Sequence, residues 1–513
     1  MADRNTTTGQ RVAMGSIVML ALAVALTQPW QSNRFQPSAT PEQAAVLGVR
    51  STATPRPTAT QPTATSQPTA TSQPTATSQP TSRPIPDPMV WEQLDSAIAR
   101  DAEPDELLAI FGQDPAGANE RGRSTFAGLQ DAMDEAWRAR LRAADQLVQE
   151  DRFAEAQVAF ETLASWFPER ANFVARAAAA GEWQKQMEIG EPWTEPVLHL
   201  FIHSLIIRPE LAFDGDYQDV GYREYMITRL EFTRMLDQML DRHFVLVDIR
   251  DLYEVDEDGN VTQRHPNVPH GKTPFVFSID DVSYYEYMEG NGFAERLQID
   301  DDLNVATVVV QDDGSEVVTL DGDAMPILDQ FVLDHPQFSL GGAKGILAVT
   351  GYEGVFGWDF SRDQVDHPDF ERRRATAGEI ADRLSETGWA FASHSYTHGN
   401  WIASPASSFG RFRFDADNWE AEIAPVLGGT DIYISPFGYW LSDSNPRFDY
   451  LMDEKGFNVF APISDGLLTE FHDKGVIMHR LAVDGYMLRE APERLAPWFD
   501  AGTVIDEARG LGE

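Results

Sequence analysis

The 513-residue chain contains no cysteine and few basic residues for its size. Without cysteine it can have no disulfides, no thiol nucleophile, no thiolate ligand for zinc and no lipid-modified cysteine. Any bound metal ion must therefore be held by His, Asp or Glu side chains. Lys and Arg number 40 against 81 Asp and Glu, which gives a net charge of −41 at pH 7. This acidity argues against nucleic acid as a partner and against docking on anionic lipid through a basic surface.

The apolar run near the N-terminus is short. Residues 12–26 are apolar and follow Arg4 and Arg11. A transmembrane helix needs about 20 such residues, whereas basic residues before a shorter apolar stretch are typical of an export signal. We therefore predict that residues 1–36 are either a cleaved signal peptide or an uncleaved signal-anchor. In the second case residues 12–26 would tether the chain to a membrane.

Residues 37–88 lack the apolar side chains that build a core. The segment is rich in Pro, Thr and Ser, and it repeats QPTATS within 61–82. This composition predicts a disordered linker that acts as a spacer, with a glycosylated stalk as the alternative. Together, the signal and the linker predict an exported protein at the cell surface, either membrane-anchored or secreted.

Residues 89–190 are predicted to be helical, because apolar residues and alanines recur at helical spacing. Phe153, Ala156, Phe160 and Leu163 match the spacing of a tetratricopeptide repeat, and a further helix is predicted at about 170–183. A single repeat is too little for a free-standing solenoid. The segment is therefore a small helical module or an appendage packed on its neighbour. A protein-binding role is a further alternative.

From about residue 191, apolar strand-like runs alternate with amphipathic helical stretches, two of which are 229–243 and 377–388. The strand candidates are 196–206, 244–249, 274–279, 345–351, 389–394, 431–437, 458–464 and 475–483. The alternation predicts an α/β fold, and the absence of a glycine-rich dinucleotide loop favours a barrel. We predict a distorted (β/α) barrel of about seven strands within residues 191–513. Its catalytic side chains should lie at the C-terminal ends of the strands.

Two pairs of side chains occur where strand runs end. Asp280 and Asp281 follow one run, and His394 and His398 lie at the end of another. Both pairs should therefore lie on the same rim of the barrel. Residues four apart on one helical turn share a face, so both imidazoles could reach one ion.

A second histidine pair, His199 and His203, lies inside a strand run. Residues four apart in a strand are separated by about 13 Å. These two side chains therefore cannot bind one metal ion together, which favours His394 and His398 as the ligands.

The two adjacent carboxylates could have two different roles in a metal-dependent hydrolase. One completes a site of two His and one Asp and leaves positions for water. The other stays unligated and takes a proton from that water. The alternative for Asp280 and Asp281 is a solvated loop, which is our interpretation of the acidic runs 299–302 and 312–313.

The order of these motifs resembles that of the polysaccharide deacetylases, also called NodB-homology or carbohydrate esterase family four proteins. The resemblance covers roughly 195–485 and points to a divergent bacterial surface branch. The segments that carry it are LFIHSLI (200–206), FSIDDVSYYEY (277–287), ASHSYTH (392–398), YISPFGYW (433–440) and GFNVFAPISDG (456–466).

The resemblance implies a role for each matching residue. Asp281, His394 and His398 would bind a divalent metal ion, usually Zn²⁺, with Co²⁺, Mn²⁺ or Fe²⁺ as alternatives. Asp280 would be the general base for the water that attacks the acetamide carbonyl of a sugar. A backbone N–H near Tyr439 would help to hold the oxyanion.

The motif at 433–440 would also contribute to substrate binding. The resemblance places Pro436 and Gly438 in the turn, and Tyr439 and Trp440 could line a sugar-binding groove. The alternative for the two aromatic side chains is packing in the core.

Some positions depart from the family pattern. Val282 stands where the family usually has Gly, and Ile434 stands where an Arg usually orients the base. A late Leu-x-His motif normally supplies the general acid. The candidates here are His479 and, second, His472, although His479 could equally be a buried strand histidine.

We therefore expect a metal-dependent hydrolase that removes N-acetyl groups from an extracytoplasmic polysaccharide of the N-acetylglucosamine type. Peptidoglycan, a secondary wall polymer and a secreted surface glycan all fit this expectation. Two alternatives remain, and the departures motivate the first. One is a catalytically impaired carbohydrate- or cell-wall-binding protein on the same scaffold, and the other is an O-acetyl esterase.

Overall fold

The computed structural model describes residues 137–167, 170–402, 408–464 and 468–510, all of which belong to one compact unit. The predicted export signal (1–36), the linker (37–88) and the first part of the helical segment lie outside these residues. Within the described ranges, no helix is both long enough and apolar enough to cross a membrane.

Strands and helices alternate through the described chain. The strands are β1 (Gly190–Pro192), β2 (Leu198–His203), β3 (Phe244–Leu246), β4 (Tyr253–Val255), β5 (Val261–Gln263), β6 (Asn267–Pro269), β7 (Thr273–Asp280), β8 (Arg296–Ile299), β9 (Val305–Val310), β10 (Glu316–Thr319), β11 (Ile346–Val349), β12 (Ala390–Ser393), β13 (Ile432–Ile434), β14 (Val459–Ala461), β15 (Thr469–His472), β16 (Gly475–Met478) and β17 (Arg480–Ala482).

The helices begin with α1, whose described residues are 137–149. The others are α2 (Phe153–Trp166), α3 (Ala171–Ile189), α4 (Pro209–Ala212), α5 (Asp219–Tyr225), α6 (Arg229–Asp241), α7 (Ala324–Asp334), α8 (Phe370–Glu386), α9 (Phe409–Glu422), α10 (Ala424–Leu427), α11 (Pro446–Asp449), α12 (Gly485–Glu490), α13 (Pro492–Leu495) and α14 (Ala501–Val504).

The main sheet is curled and mostly parallel. Its strand order is β15-β16-β14-β13-β12-β11-β7-β2-β17, and β3 also pairs with β7. All these pairs are parallel except β15 with β16. A single residue, His479, separates β16 from β17 in the chain, although the two strands lie towards opposite ends of the strand order. The sheet therefore curls back towards itself, which is consistent with a distorted barrel.

The predicted α/β class is confirmed, but the predicted number of strands is wrong. Each of the eight apolar runs contains a strand of the main sheet. The run 475–483 is broken at His479 into two strands, and β15 adds an antiparallel edge. The sheet therefore has ten strands rather than about seven.

Apolar side chains fill the inside of the curled sheet. One buried cluster takes residues from nearly every parallel strand, and many of them are small or β-branched: Val245, Val276, Ile346, Ala348, Ala392, Ile434, Ala461 and Met478 are examples. The opposite face is also buried, and Tyr433, Phe460 and Ile477 pack there with Phe412 of α9. Burial on both faces explains why these strands read as continuous apolar runs rather than as alternating patterns.

Helices α1 to α3 pack against the α/β part of the chain. The four residues that match tetratricopeptide spacing are buried, and the indole of Trp183 on α3 donates a hydrogen bond to the carbonyl of Pro336 at 3.1 Å. Asp145 of α1 accepts from Arg383 of α8 at 2.6 Å and from Arg176 of α3 at 2.8 Å. Of the two structural alternatives for this segment, the packed appendage describes α1 to α3.

Candidate active site

The two aspartates lie at the C-terminal end of β7, as predicted. Asp280 is the last residue of the strand, and it is directly opposite His203 of β2 in the parallel register. Asp281 follows with a φ of 62°, in the left-handed region that non-glycine residues rarely occupy. This turn lets two neighbouring carboxylates, both largely buried, lie near the same imidazole.

The two histidines lie at the end of β12, but they are not on a helix. His394 follows the strand directly, and residues 394–400 form an irregular loop. Ser395 and His398 have φ values of 60° and 49°. The prediction that a helical turn brings the two imidazoles together is therefore wrong. Two left-handed residues fold the loop back, and the ring centroids end 5.0 Å apart.

Asp415 of α9 holds this loop in place. The side chain is 3% exposed, and its two carboxylate oxygens accept from the backbone N–H groups of Tyr396 at 2.8 Å and Thr397 at 3.0 Å. The Thr397 hydroxyl donates to the same carboxylate. These bonds compensate for the strained backbone between the two histidines. Sequence reasoning missed Asp415, because an acidic residue in a helix is ordinary.

Asp281, His394 and His398 form a cluster that could hold a metal ion. One ligand atom from each lies within 4.8 Å of the others. Oδ1 of Asp281 is 3.9 Å from Nε2 of His394 and 3.7 Å from Nε2 of His398. These separations leave room for an ion between the ligand atoms, since Zn–N and Zn–O distances are about 2.0–2.2 Å.

The hydrogen bonding and protonation of His394 also fit a metal ligand. Its Nδ1 is 2.9 Å from the backbone carbonyl of Ile434, to which it can donate, so that Nε2 presents a lone pair to the cluster. Burial lowers the pKa of His394 to about 4, so the ring is neutral at neutral pH and needs no deprotonation before it binds a metal. The donor set of two imidazoles and one carboxylate fits Zn²⁺, Co²⁺, Mn²⁺ or Fe²⁺.

Asp280 is paired with an arginine that the sequence did not reveal. Arg480 of β17 donates from Nη1 to Asp280 Oδ1 at 2.7 Å, and both side chains are buried. Burial tends to raise the pKa of Asp280, but the Arg480 charge and hydrogen bond help to lower it to about 2. Ile434, at the position of the usual arginine, is fully buried in the core. Arg480 therefore provides the cation from another strand.

A polar chain continues below this ion pair. Arg480 Nη1 is also 3.2 Å from the hydroxyl of Ser278, which lies 2.9 Å from Nε2 of His199. His199 is fully buried, and burial keeps its pKa well below the usual value. His199 thus supports the ion pair from inside the sheet, through Ser278.

His203 lies on the rim beside the aspartates. Its Nδ1 is 3.0 Å from the carbonyl of Tyr225, so Nε2 is the nitrogen left for other partners. The charge of His203 acts on both Asp280 and Asp281. A strand position opposite a motif aspartate could have indicated this role, but strand pairing is known only from the fold.

The two predicted general-acid candidates contact other side chains. Nε2 of His479 is 3.8 Å from Glu470 of β15, and His472 lies beside Glu470 and Asp443 at 3.5 and 3.4 Å. In the part of the chain that the structure describes, neither histidine has a hydrogen bond or ion pair with the aspartates or the metal-ligand histidines. His479 is the largely buried histidine between two strands that the alternative interpretation described.

The turn at 436–440 borders the histidine loop. Gly438 has a φ of 68°, and an added Cβ would lie 2.3 Å from Ile463, so a larger residue does not fit. Pro436 is buried. Tyr439 and Trp440 are 37% and 54% exposed, so neither is packed in the core. The Tyr439 N–H is 3.5 Å from the Pro436 carbonyl, a contact at the limit of a hydrogen bond.

Val282 and Phe437 lie next to residues of the predicted site. Val282 is fully buried, and its carbonyl accepts from the N–H of Phe356 at 3.1 Å, so the usual glycine is replaced by a core residue. Phe437, between Pro436 and Gly438, places its ring centroid 4.5 Å from that of His398. The turn therefore forms one wall of the metal-ligand cluster.

Comparison with known proteins adds little to this geometry. No protein-family model matches the chain, and no curated protein matches it. Among solved structures, a crystal structure from Mycobacterium smegmatis, of a protein named provisionally as a polysaccharide deacetylase, matches with 17% identity and a TM-score of 0.21. The match covers 32% of this chain and 46% of the other, so the chain spans less than half the length of that protein.

Proposed function

We propose that this protein is a metal-dependent hydrolase that removes N-acetyl groups from an extracytoplasmic polysaccharide of the N-acetylglucosamine type. The observation that carries the proposal is the cluster of Asp281, His394 and His398 beside a second, ion-paired carboxylate, Asp280. Metal-assisted hydrolysis requires a bound metal ion with a position for water and a nearby carboxylate that takes a proton from that water. A site of two His and one Asp beside a carboxylate that does not bind the metal has this arrangement.

A divalent ion bound by the three ligands would supply a Lewis acid that polarises the acyl carbonyl and acidifies a water molecule. Asp280 would accept the proton of the attacking water. Its lowered pKa, about 2, keeps the carboxylate ionised at neutral pH. Arg480 fixes the carboxylate through Oδ1, which leaves Oδ2, the oxygen 4.0 Å from His394 Nε2, facing the cluster.

Cleavage of an amide also needs a proton for the departing amine. We assign this proton to His203 rather than to His479, because His203 lies opposite Asp280 across the strand pair. The bond of its Nδ1 to Tyr225 orients the ring. Nε2 would then deliver the proton to the leaving nitrogen.

The polysaccharide part of the proposal rests on the rim and on the N-terminal sequence. Tyr439, whose ring contacts that of Phe437, and its neighbour Trp440 are both exposed, and exposed aromatic faces suit contact with sugar rings. The turn of Pro436 and Gly438 holds them there. The export signal predicted in 1–36 and the linker predicted in 37–88 support an extracytoplasmic polymer reached from the cell surface.

The alternative of a catalytically impaired binding protein loses its main support. It was motivated by the absence of an arginine at position 434. Arg480 contacts Asp280 directly, so the carboxylate has the cationic partner that position 434 does not supply. An active hydrolase is therefore the better conclusion.

Acetate release from N-acetylglucosamine oligomers by the purified full chain tests the proposal. We expect release that stops on chelation, returns with Zn²⁺ and falls at least 100-fold in Asp280→Asn. Acetylated xylan in parallel reveals an O-acetyl esterase. No release from either substrate, with one Zn²⁺ still bound through His394 and His398, would instead indicate a binding protein.

The role of His203 is tested in the same assay. His203→Gln should lose most amide hydrolysis but retain hydrolysis of 4-nitrophenyl acetate, whose leaving group departs without a proton. Equal losses on both substrates would refute the assignment. His479→Gln serves as the matched control and should retain both activities.

A further inference from the structure

A chain of three hydroxyl groups lies behind the metal-ligand carboxylate. The Tyr285 hydroxyl donates to Oδ1 of Asp281 at 2.8 Å, and it lies 2.8 Å from the hydroxyl of Thr350. Thr350 is in turn 3.1 Å from the hydroxyl of Ser283. Tyr285, Thr350 and Ser283 are at most 2% exposed, so water does not compete for these bonds.

The number of protons fixes the direction of this chain. A tyrosine hydroxyl has one hydrogen, and here Asp281 receives it. Thr350 must therefore donate to the Tyr285 oxygen, which leaves the Thr350 oxygen free to accept from Ser283. Hydrogen bonds aligned in this way strengthen one another.

The oxygen that Tyr285 holds is also the oxygen that faces both imidazoles. Oδ1 of Asp281 lies 3.9 Å from Nε2 of His394 and 3.7 Å from Nε2 of His398. The Tyr285 hydrogen bond therefore acts on the same oxygen that would face an ion held between the two imidazoles.

Aromatic stacking fixes the position of the Tyr285 ring. Tyr352 stacks on one side with a centroid distance of 5.0 Å and an interplanar angle of 12°. Tyr287 stacks as well, at 5.6 Å and 22°. A ring held in this way keeps its hydroxyl oxygen within hydrogen-bond distance of Asp281.

We infer that Tyr285 is a positioning residue that sets the metal affinity of the site, by holding Oδ1 of Asp281 in the orientation that the two histidines require. The inference rests on the metal site of the proposed function, but it concerns ion binding and not turnover. Partners that orient a metal ligand in this way are worth about 10–100-fold in affinity.

The test is Zn²⁺ affinity of the full chain, measured by competition with a chromogenic chelator. We expect Tyr285→Phe to weaken binding about 10–100-fold and Thr350→Val to weaken it less. The matched control is Tyr287→Phe, which removes the same hydroxyl from the neighbouring ring of the stack and should leave affinity unchanged. Co²⁺ absorption should shift in Tyr285→Phe, which a purely structural role of the ring would not cause.

The measured Zn²⁺ affinities distinguish failure of the inference from failure of the proposed metal site. Zn²⁺ affinity of Tyr285→Phe within threefold of the parent protein would overturn the inference while the metal site stands. If the parent protein itself binds no Zn²⁺, or if His394→Ala binds as tightly as the parent, the metal site of the proposed function falls and the inference with it. If Tyr285→Phe fails to fold, Thr350→Val decides: weaker binding supports the inference, and unchanged binding overturns it.

Discussion

Asp280 and Arg480 illustrate how single residues set the chemistry of this site. Both side chains are buried, and the guanidinium contacts Oδ1 of the carboxylate at 2.7 Å. A buried carboxylate without a partner would tend to take up a proton, whereas Arg480 holds this one ionised. The same contact selects which carboxylate oxygen is free for a substrate water.

We predict that Arg480→Met lowers kcat on N-acetylglucosamine oligomers on the order of 100-fold with a smaller change in KM, because the base loses its orientation. Loss of one partner of a buried ion pair also costs about 3–5 kcal/mol of stability. Arg480→Lys keeps the charge but not the fork of donors, and it should be intermediate in kcat. Steady-state kinetics and urea unfolding of the three proteins separate the two effects. Equal kcat values would contradict the positioning role.

At the scale of elements, an interface of buried charges joins α1 and α3 to α8. Arg383 is fully buried, and it donates to Asp145 and Glu386 at 2.6 and 2.8 Å and to the carbonyl of Leu303 at 2.6 Å. Arg176 completes the group through Asp145. These contacts fix the helical segment in place. Replacing one charged side chain would leave its partner charge buried and unpaired.

We predict that Arg383→Met destabilises the full chain by about 3–5 kcal/mol, measured by urea unfolding. The matched control is Arg142→Met on the same interface. Arg142 contacts Glu386 at 3.3 Å, but its side chain is 43% exposed, so its loss should cost less than about 1 kcal/mol. Similar losses in the two variants would show that the buried charges do not hold the helices in place.

At the scale of the whole molecule, pH acts on stability through carboxyl groups that the fold buries. Asp484 lies just after β17, is 8% exposed and caps α12 by accepting from the N–H of Met487 at 2.7 Å. Burial raises the pKa of Asp484 to about 6. Because the folded pKa lies above the unfolded one, this group contributes stability at low pH and loses that contribution as pH rises through about 6.

We predict that Asp484→Asn becomes more stable relative to the parent chain as pH rises from 4 to 7, by up to about 3 kcal/mol. Asparagine also caps helices, so the variant removes the charge and keeps the cap. Urea unfolding of both proteins at several pH values gives the difference, and the contributions of the other carboxylates cancel. A difference that does not change with pH would contradict the assigned pKa.

Much of the fold could be predicted because its signals are local. Nine of the ten strands of the main sheet lie in the predicted apolar runs, β15 being the exception, and helices α3, α6 and α8 lie where helical periodicity predicted them. The metal-ligand candidates could also be named, because Asp281, His394 and His398 lie just after apolar runs. A parallel strand that is buried on both faces needs apolar side chains at consecutive positions. The end of such an apolar run in the sequence therefore indicates where the strand ends.

Other features were decided by tertiary structure alone. Arg480 and Asp280 are 200 positions apart, and Arg383 and Asp145 are 238 apart, so no spacing rule connects them. The loop of His394 and His398 is irregular because Asp415, on a later helix, bonds its backbone. The amino-acid sequence by itself determined where most strands of the main sheet lie and which residue types could bind a metal ion. Which side chains meet across the curled sheet depends on strand order and register, and these are set by packing between distant segments.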